Sequence, residues 1–224
     1  MNKQAENIKA ISDAWLNIDP NSKFINPFSV QTEEEFTTKL TWLMTNPEYF
    51  SFICKEILNI DILPTQALML REMWNRKFPM LIASRGFGKS FILSVYAILR
   101  ALLMPGRKVV IVGAAFRQSK VLFEYMDTVW RNSPLLRDIV GGDGGPRRDV
   151  DMCRLKIGDS TVTCLPLGDG SKIRGQRAND IIADEFASIP REIFENVVAG
   201  FAAVSASPIE NVRRGAAKKK MIEL

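Results

Sequence analysis

The chain has 224 residues, of which 46% are hydrophobic and 25% are charged, and this is the composition of a globular protein with a sizeable core. It has no histidine, and its three cysteines lack CxxC spacing, which excludes the usual zinc sites and histidine-based acid–base chemistry. The net charge of +5 permits contact with nucleic acid without establishing it. The longest apolar stretch, residues 91–104, is too short to span a bilayer, and the N-terminus lacks the apolar core of a signal peptide. We therefore expect a soluble, intracellular protein.

The first part of the chain is predicted to be helical. A capping signal at residues 32–35 opens one amphipathic segment, and Pro47 and Pro64 open two more. We expect residues 1–60 to form a helical N-terminal segment and residues 61–224 to form the main domain.

Short apolar runs alternate with helical patterns in the rest of the chain. Strands are predicted at residues 79–83, 108–113, 153–157, 161–165 and 181–183, and helices at residues 91–104 and 116–131. This alternation predicts an α/β fold with a mainly parallel central sheet that is flanked by helices. Residues 141–146 are predicted to be a glycine-rich loop, and Arg147 and Arg148 at its end are weak candidates for contact with DNA phosphates.

Residues 83–90 carry the strongest functional pattern. A short strand, a glycine-containing turn and then Gly88-Lys89-Ser90 at the start of a helix match a phosphate loop in order and context. Backbone N–H groups at a helix N-terminus bind phosphate oxygens, while Lys89 can reach the β- and γ-phosphates and Ser90 can ligate magnesium. The alternative is an ordinary surface loop, and Ala83 departs from the glycine that opens the consensus. The predicted nucleotide-binding residues here are Ala83, Ser84, Arg85, Gly86, Phe87, Gly88, Lys89 and Ser90.

Two adjacent acids, Asp184 and Glu185, follow the last apolar strand. Carboxylates at the tip of a buried strand are costly unless a cation or hydrogen bonds hold them. With a phosphate loop upstream, we assign Asp184 to magnesium and Glu185 to the attacking water as its general base. The alternative is that they cap the helix near Pro190.

Gln66 lies upstream of the phosphate loop, and its amide offers the donor and acceptor that match the adenine edge. The alternative is an ordinary polar residue at a helix N-terminus. The strand at residues 108–113 lies between the two main motifs, and together with a glutamate beside the magnesium aspartate it is typical of motor-type P-loop ATPases rather than kinases.

Together, these motifs resemble the ATPase domain of the large terminase subunits of tailed bacteriophages. Residues 84–90, with an arginine inside the phosphate loop, resemble the variant Walker A motif of that family. Residues 158–160, 173–176 and 179–187 resemble its run from the sheet hairpin to Walker B, and Gln66 matches its Q motif. The similarity covers roughly residues 63–199.

The resemblance implies an ASCE-type P-loop NTPase that hydrolyses ATP with Mg²⁺. Such proteins form a ring, a pentamer on the capsid, at the portal protein of the procapsid in the host cytoplasm, where they move double-stranded DNA inside with the small terminase subunit as a further partner. By the same resemblance, Lys89 and Ser90 bind phosphate and magnesium, Asp184 is the Walker B acid and Glu185 is the catalytic acid. Arg85 would contact the γ-phosphate from its own loop. Arg174 would be the arginine finger supplied to a neighbouring subunit, unless it forms a surface salt bridge.

Family members continue into a metal-dependent nuclease domain, and this chain has no carboxylate cluster suited to it. We therefore expect that this chain does not cleave DNA and that it is a piece of a longer protein. Residues 205–208 are a weak candidate for the family's coupling motif. Two other functions stay open, namely a different nucleic-acid-remodelling P-loop ATPase and a nucleotide-gated assembly subunit with little turnover. The basic tail is either a nucleic-acid contact or a solvated helix face; it comprises Arg213, Arg214, Lys218, Lys219 and Lys220.

Overall fold

A computed structural model describes residues 41–113, 115–142, 144–167 and 177–195. The chain divides between Asn46 and Pro47 into two units. In the first unit, residues 41–45 are helical. The predictions for Arg174, for the coupling motif, for the basic tail and for the capping signal at residues 32–35 fall outside the described residues.

The second unit begins with a 3-10 turn and two short helices. The turn spans Pro47–Tyr49, α1 spans Phe50–Glu56 and α2 spans Pro64–Asn75. Proline at the first helical position of α2 lacks only an N–H group that would have no partner there. The ring of Phe50 meets that of Trp74 edge-on, with centroids 4.8 Å apart, which joins α1 to α2. The helices predicted after Pro47 and Pro64 are thus confirmed.

Two longer helices follow the turn at residues 84–88. Helix α3 spans Lys89–Leu103 and is buried nearly all round, whereas α4 spans Phe116–Asn132 and buries one face. Both helices contact the sheet and each other. Two further short helices are α5, Pro134–Val140, which the sequence pattern did not predict, and α6, Arg191–Ile193, which corresponds to the helix expected near Pro190. None of the helices within the described ranges has the length and apolarity needed to cross a bilayer.

The described sheet has five strands in the order β2-β3-β4-β1-β5. They span Lys108–Gly113 (β1), Gly145–Arg148 (β2), Cys153–Ile157 (β3), Ser160–Pro166 (β4) and Asp180–Asp184 (β5). Strand β1 runs parallel to β4 and β5, whereas β2 and β4 run antiparallel to β3. The α/β class is confirmed, but the described sheet is mixed rather than mainly parallel, because the hairpin adds antiparallel pairings at one side.

Strand β2 corrects the prediction for the glycine-rich segment. Arg147 and Arg148 belong to this edge strand and pair with Arg154 and Cys153 of β3. The Arg148 guanidinium lies 2.5 Å from a carboxylate oxygen of buried Asp127 on α4. Its charge therefore compensates a buried acid, which argues against the weak prediction that Arg148 contacts DNA.

The predicted strand at residues 79–83 is absent from the described sheet. Met80 and Ile82 in this segment are 80% and 86% exposed, and Phe78 just before it is 87% exposed. The apolar composition was read correctly, but a strand also needs a neighbour to accept its backbone hydrogen bonds, and none of the described strands pairs with it.

The two faces of the sheet explain the continuous apolar run in β1. Val110 and Val112 belong to a buried cluster that includes Leu165 and Ile189. Because side chains alternate along a strand, Val109 and Ile111 point to the opposite face. Both α3 and α4 contact β1. Every residue of β1 after Lys108 is accordingly buried.

Candidate functional site

The turn at residues 84–88 leads directly into the N-terminus of α3. Gly86 and Gly88 both have positive φ, 81° and 83°, a conformation that glycine adopts without steric cost. Gly88 is the N-cap of α3, and since it has no side chain, it cannot cover the free N–H groups of the first helical turn. Those N–H groups and the positive end of the helix dipole favour an anion at this position.

A pocket of about 350 Å³ lies over this turn, which is a volume that suits a small ligand. Two of its lining residues, Arg85 and Lys89, are cationic. The residues that line it are Ala83, Ser84, Arg85, Gly86, Gly88, Lys89, Ser90, Phe91 and Tyr125. Seven of the eight residues predicted from the loop pattern are therefore brought together, and Phe87 is not among the lining residues. Tyr125 escaped the sequence reading because its spacing on α4 is that of a core stripe.

The acidic pair lies at the carboxyl end of β5, next to the turn. Lys89 Nζ lies 3.6 Å from Asp184 Oδ1, and the Asp184 residue is only 5% exposed. Asp184 is the register partner of Gly113, the last residue of β1. The ion pair thus joins the start of α3 to the carboxyl edge of the parallel strands, which is the edge where ligands bind in α/β proteins.

Glu185 adopts a backbone conformation that is rare for its residue type. Its φ of 49° and ψ of 46° are left-handed, and its N–H donates to Asp184 Oδ1 over 3.0 Å. Non-glycine residues in such conformations are concentrated at functional sites, where surrounding contacts enforce them. Glu185 is the N-cap residue of a 3-10 turn, Phe186–Ser188, but its side chain makes no capping hydrogen bond there. The N-cap of α6 is Pro190, so neither acid caps α6.

Gln66 is buried between the start of α2 and the turn. Its Oε1 accepts the Leu63 N–H over 3.0 Å and so caps α2. A Cβ atom at Gly88 would lie only 2.8 Å from Gln66 Nε2, so the amide group faces the turn. Gln66 thus caps α2 and also lies beside the turn. Its contact with adenine stays a prediction.

The sequence reading missed Gln118, at the start of α4. Its Nε2 donates to the Glu185 carboxylate, and its Oε1 accepts the Ala115 N–H over 3.0 Å. A polar residue at the third position of a helix is a usual capping pattern. That pattern carries no information about a partner in β5, which only the parallel pairing of β1 with β5 brings close.

The site suits a magnesium–triphosphate complex in charge and in ligand type. Arg85 and Lys89, with the N–H groups of α3, supply positive charge, and a Cβ at Gly86 would meet nothing within 4 Å, so the backbone is open to a close ligand. Within the described ranges, no group of three or more Cys, Asp and Glu residues could hold a metal by itself. Mg²⁺ takes few protein ligands and completes its shell with phosphate and water oxygens, and Ser90 and Asp184 are the side chains here that could hold it.

A family model described as "Terminase large subunit, T4likevirus-type, N-terminal" matches residues 80–207, more than half of the chain. The matched region includes the turn before α3, Gln118 and both acids, whereas Gln66 lies upstream of it. Among curated proteins, no match to the chain was found.

Proposed function

This chain belongs to the terminase large subunit family, of the T4-like N-terminal type, and we propose that it is the ATPase that drives DNA packaging. The fold that we assign to it on this basis is an ASCE-type P-loop NTPase. The family packages DNA into a capsid, and this is the basis for the proposed biological role. The residues around α3 and β5 are the basis for the proposed ATP hydrolysis.

One observation carries the proposal, namely the 3.6 Å separation between Lys89 Nζ and Asp184 Oδ1. A phosphate-binding turn or an acidic pair alone has many structural explanations. Hydrolysis of a phosphoanhydride requires both at one place, because phosphate charge must be stabilised while a water molecule is activated. The ion pair supports the view that these two motifs act on one ligand.

Each residue has a defined part in the proposed reaction. The N–H groups of the turn and Lys89 bind the β- and γ-phosphates, and Arg85 contacts the γ-phosphate. Glu185 accepts a proton from the attacking water as it approaches the γ-phosphorus. Mg²⁺, when bound to Ser90 and Asp184, would offset the charge on the phosphates. Gln66 is proposed to contact the adenine edge from beside Gly88.

Coupling of hydrolysis to movement involves parts outside the described residues. We propose that Arg174 reaches the ATP of a neighbouring subunit in a ring. An arginine in this position stabilises charge on the transferring phosphate and increases the rate of hydrolysis by about 10³–10⁵-fold. The ring would dock on the portal protein, with the small terminase subunit as a partner, and move double-stranded DNA.

The substitution Lys89→Ala tests the phosphate-binding turn. We expect the affinity for ATP to fall by about 100-fold, because a charge-assisted contact with phosphate is lost, and calorimetric titration would measure it. Lys55→Ala is the matched control, since Lys55 is an exposed lysine on α1 that pairs only loosely with Asp61 at 3.9 Å. Circular dichroism shows whether both variants are folded. Equal ATP affinity in the two folded variants would contradict the assignment of the turn.

A further inference from the structure

Gln118 links the N-terminus of α4 to Glu185 at the end of β5. We infer that Gln118 is a positioning residue, which holds the Glu185 carboxylate in the orientation needed to activate water. This inference rests on the proposed function, since it assigns Glu185 to the attacking water.

The hydrogen bonds of Gln118 fix which end of its amide faces Glu185. The Ala115 N–H can only donate, and it lies 3.0 Å from Gln118 Oε1. The carbonyl end of the amide is thereby occupied, so the NH₂ end faces the Glu185 carboxylate and donates to its Oε2. The contact therefore fixes the position of Glu185 Oε2 relative to the start of α4.

The backbone around the pair leaves room for this contact. A Cβ at Gly113 would lie 3.1 Å from both Cβ and Oε1 of Gln118, which is a tight contact. Glycine at the end of β1 therefore allows the Gln118 side chain to cross from α4 toward β5. Gly113 is also the register partner of Asp184, so the crossing ends beside the acidic pair.

Glu185 needs such a partner because its own surroundings constrain it little. Its side chain is exposed, and long exposed side chains sample several rotamers. The left-handed backbone at Glu185 sets the direction in which the side chain leaves the chain, and the Gln118 amide selects one orientation of the carboxylate. A misplacement of about 1 Å in a catalytic group costs about 100-fold in rate, so a fixed orientation matters for hydrolysis.

Two substitutions separate positioning from helix capping. Gln118→Glu keeps an oxygen for the Ala115 N–H but places an oxygen, instead of the NH₂ group, against Glu185. Gln118→Met removes both hydrogen bonds. We expect kcat for ATP hydrolysis to fall about 10- to 100-fold in both variants, while KM changes by less than about twofold. Glu124→Gln, an exposed change on the same helix, is the control and keeps the wild-type kcat.

A purely capping role predicts a different result, because Gln118→Glu would then keep the wild-type kcat and only Gln118→Met would be affected. That outcome, measured in a chain that hydrolyses ATP, would overturn the inference and leave the proposed function standing. Failure of the wild-type chain to bind ATP would instead overturn the proposed function.

The contact itself is tested without ATP turnover. Gln118→Glu should lower the melting temperature in the wild-type background, because two carboxylates then face each other, and lower it less in the Glu185→Gln background. An equal change in the two backgrounds would show that Gln118 and Glu185 do not interact and would also overturn the inference.

Discussion

At the residue scale, the acidic pair shows how neighbours define a role that residue type leaves open. Asp184 and Glu185 are adjacent in sequence, yet Asp184 is buried against Lys89 and Glu185 is exposed against Gln118. The buried acid is held by a cation and is suited to bind a metal ion. The exposed acid is accessible to water and is suited to a general base. The division of roles proposed from the sequence is consistent with this difference.

The buried cysteines carry a prediction about pH. Burial raises the pKa of Cys54 to about 12, above the usual value of about 8.5 that the unfolded chain has. Between these values the unfolded state loses the thiol proton while the folded state keeps it, so the stabilising contribution is complete below about pH 8.5 and decreases as the pH rises toward 12.

We therefore expect the free energy of unfolding to decrease above pH 9, with Cys54 contributing at most about 1.4 kcal/mol per pH unit. Urea unfolding at pH 8, 9 and 10 would measure it in the wild type and in Cys54→Ala. At pH 8 the variant should be less stable than the wild type. Above pH 9 its free energy of unfolding should depend less on pH than that of the wild type. The same pH dependence in both proteins would show that Cys54 does not contribute.

At the element scale, α3 and β5 are joined at both ends. Lys89 at the start of α3 pairs with Asp184 at the end of β5, and Arg100 near the end of α3 pairs with Asp180 at the start of β5 over 2.6 Å. The Arg100 guanidinium also lies 4.6 Å from the ring centroid of Trp74 on α2. Helix α3, which follows the phosphate-binding turn, and strand β5, which precedes Glu185, thus run antiparallel and are joined by one ion pair at each end.

The substitution Arg100→Met tests this second attachment. The Asp180 side chain is largely buried, and Asp180 Oδ2 has no hydrogen-bond partner among the described residues. Removing Arg100 leaves only the 3.8 Å contact with Arg107. We expect the free energy of unfolding to fall by about 3 kcal/mol, because a buried carboxylate loses its main partner, and urea unfolding would measure the change.

Arg76→Met is the matched control, since Arg76 is 70% exposed and pairs with Glu72 on the surface. Its effect should be below about 0.5 kcal/mol. If the two variants were equally stable, the ion pair at the far end of α3 would not hold α3 to β5.

The sequence pattern predicted the elements that are defined by local periodicity and missed those that depend on partners. The hairpin of β3 and β4, the buried strand β1 and the amphipathic helix α4 all have patterns that one segment contains by itself. The segment at residues 79–83 has the composition of a strand but no described neighbour, and β2 is a strand only because β3 pairs with it.

The same distinction applies to the site. The turn before α3 and the acids after β5 were predicted because each is a contiguous motif. Gln118 and Tyr125 were not, because their relevance comes from contacts between segments far apart in sequence.

At the scale of the whole molecule, the described part of the chain places the candidate site at one edge of the sheet. The carboxyl ends of β1, β4 and β5 meet there, as the parallel register of Gly113 with Pro166 and with Asp184 shows. The start of α3 faces the same edge. Arg174, which is predicted to reach the ATP of a neighbouring subunit, lies outside the described ranges. The candidate coupling motif, residues 205–208, also lies outside them. Hydrolysis within one subunit is therefore the part of the function that can be tested most directly.

The central claim is that a nucleotide triphosphate binds between the turn before α3 and the acids after β5. A crystal structure of the chain with a non-hydrolysable ATP analogue and Mg²⁺ tests it most directly. We predict that the β- and γ-phosphates lie against residues 86–90, with Lys89 shifted from Asp184 toward the phosphates and Glu185 facing the γ-phosphate. An analogue bound elsewhere, with the Lys89–Asp184 ion pair intact and the turn without phosphate contacts, would contradict it.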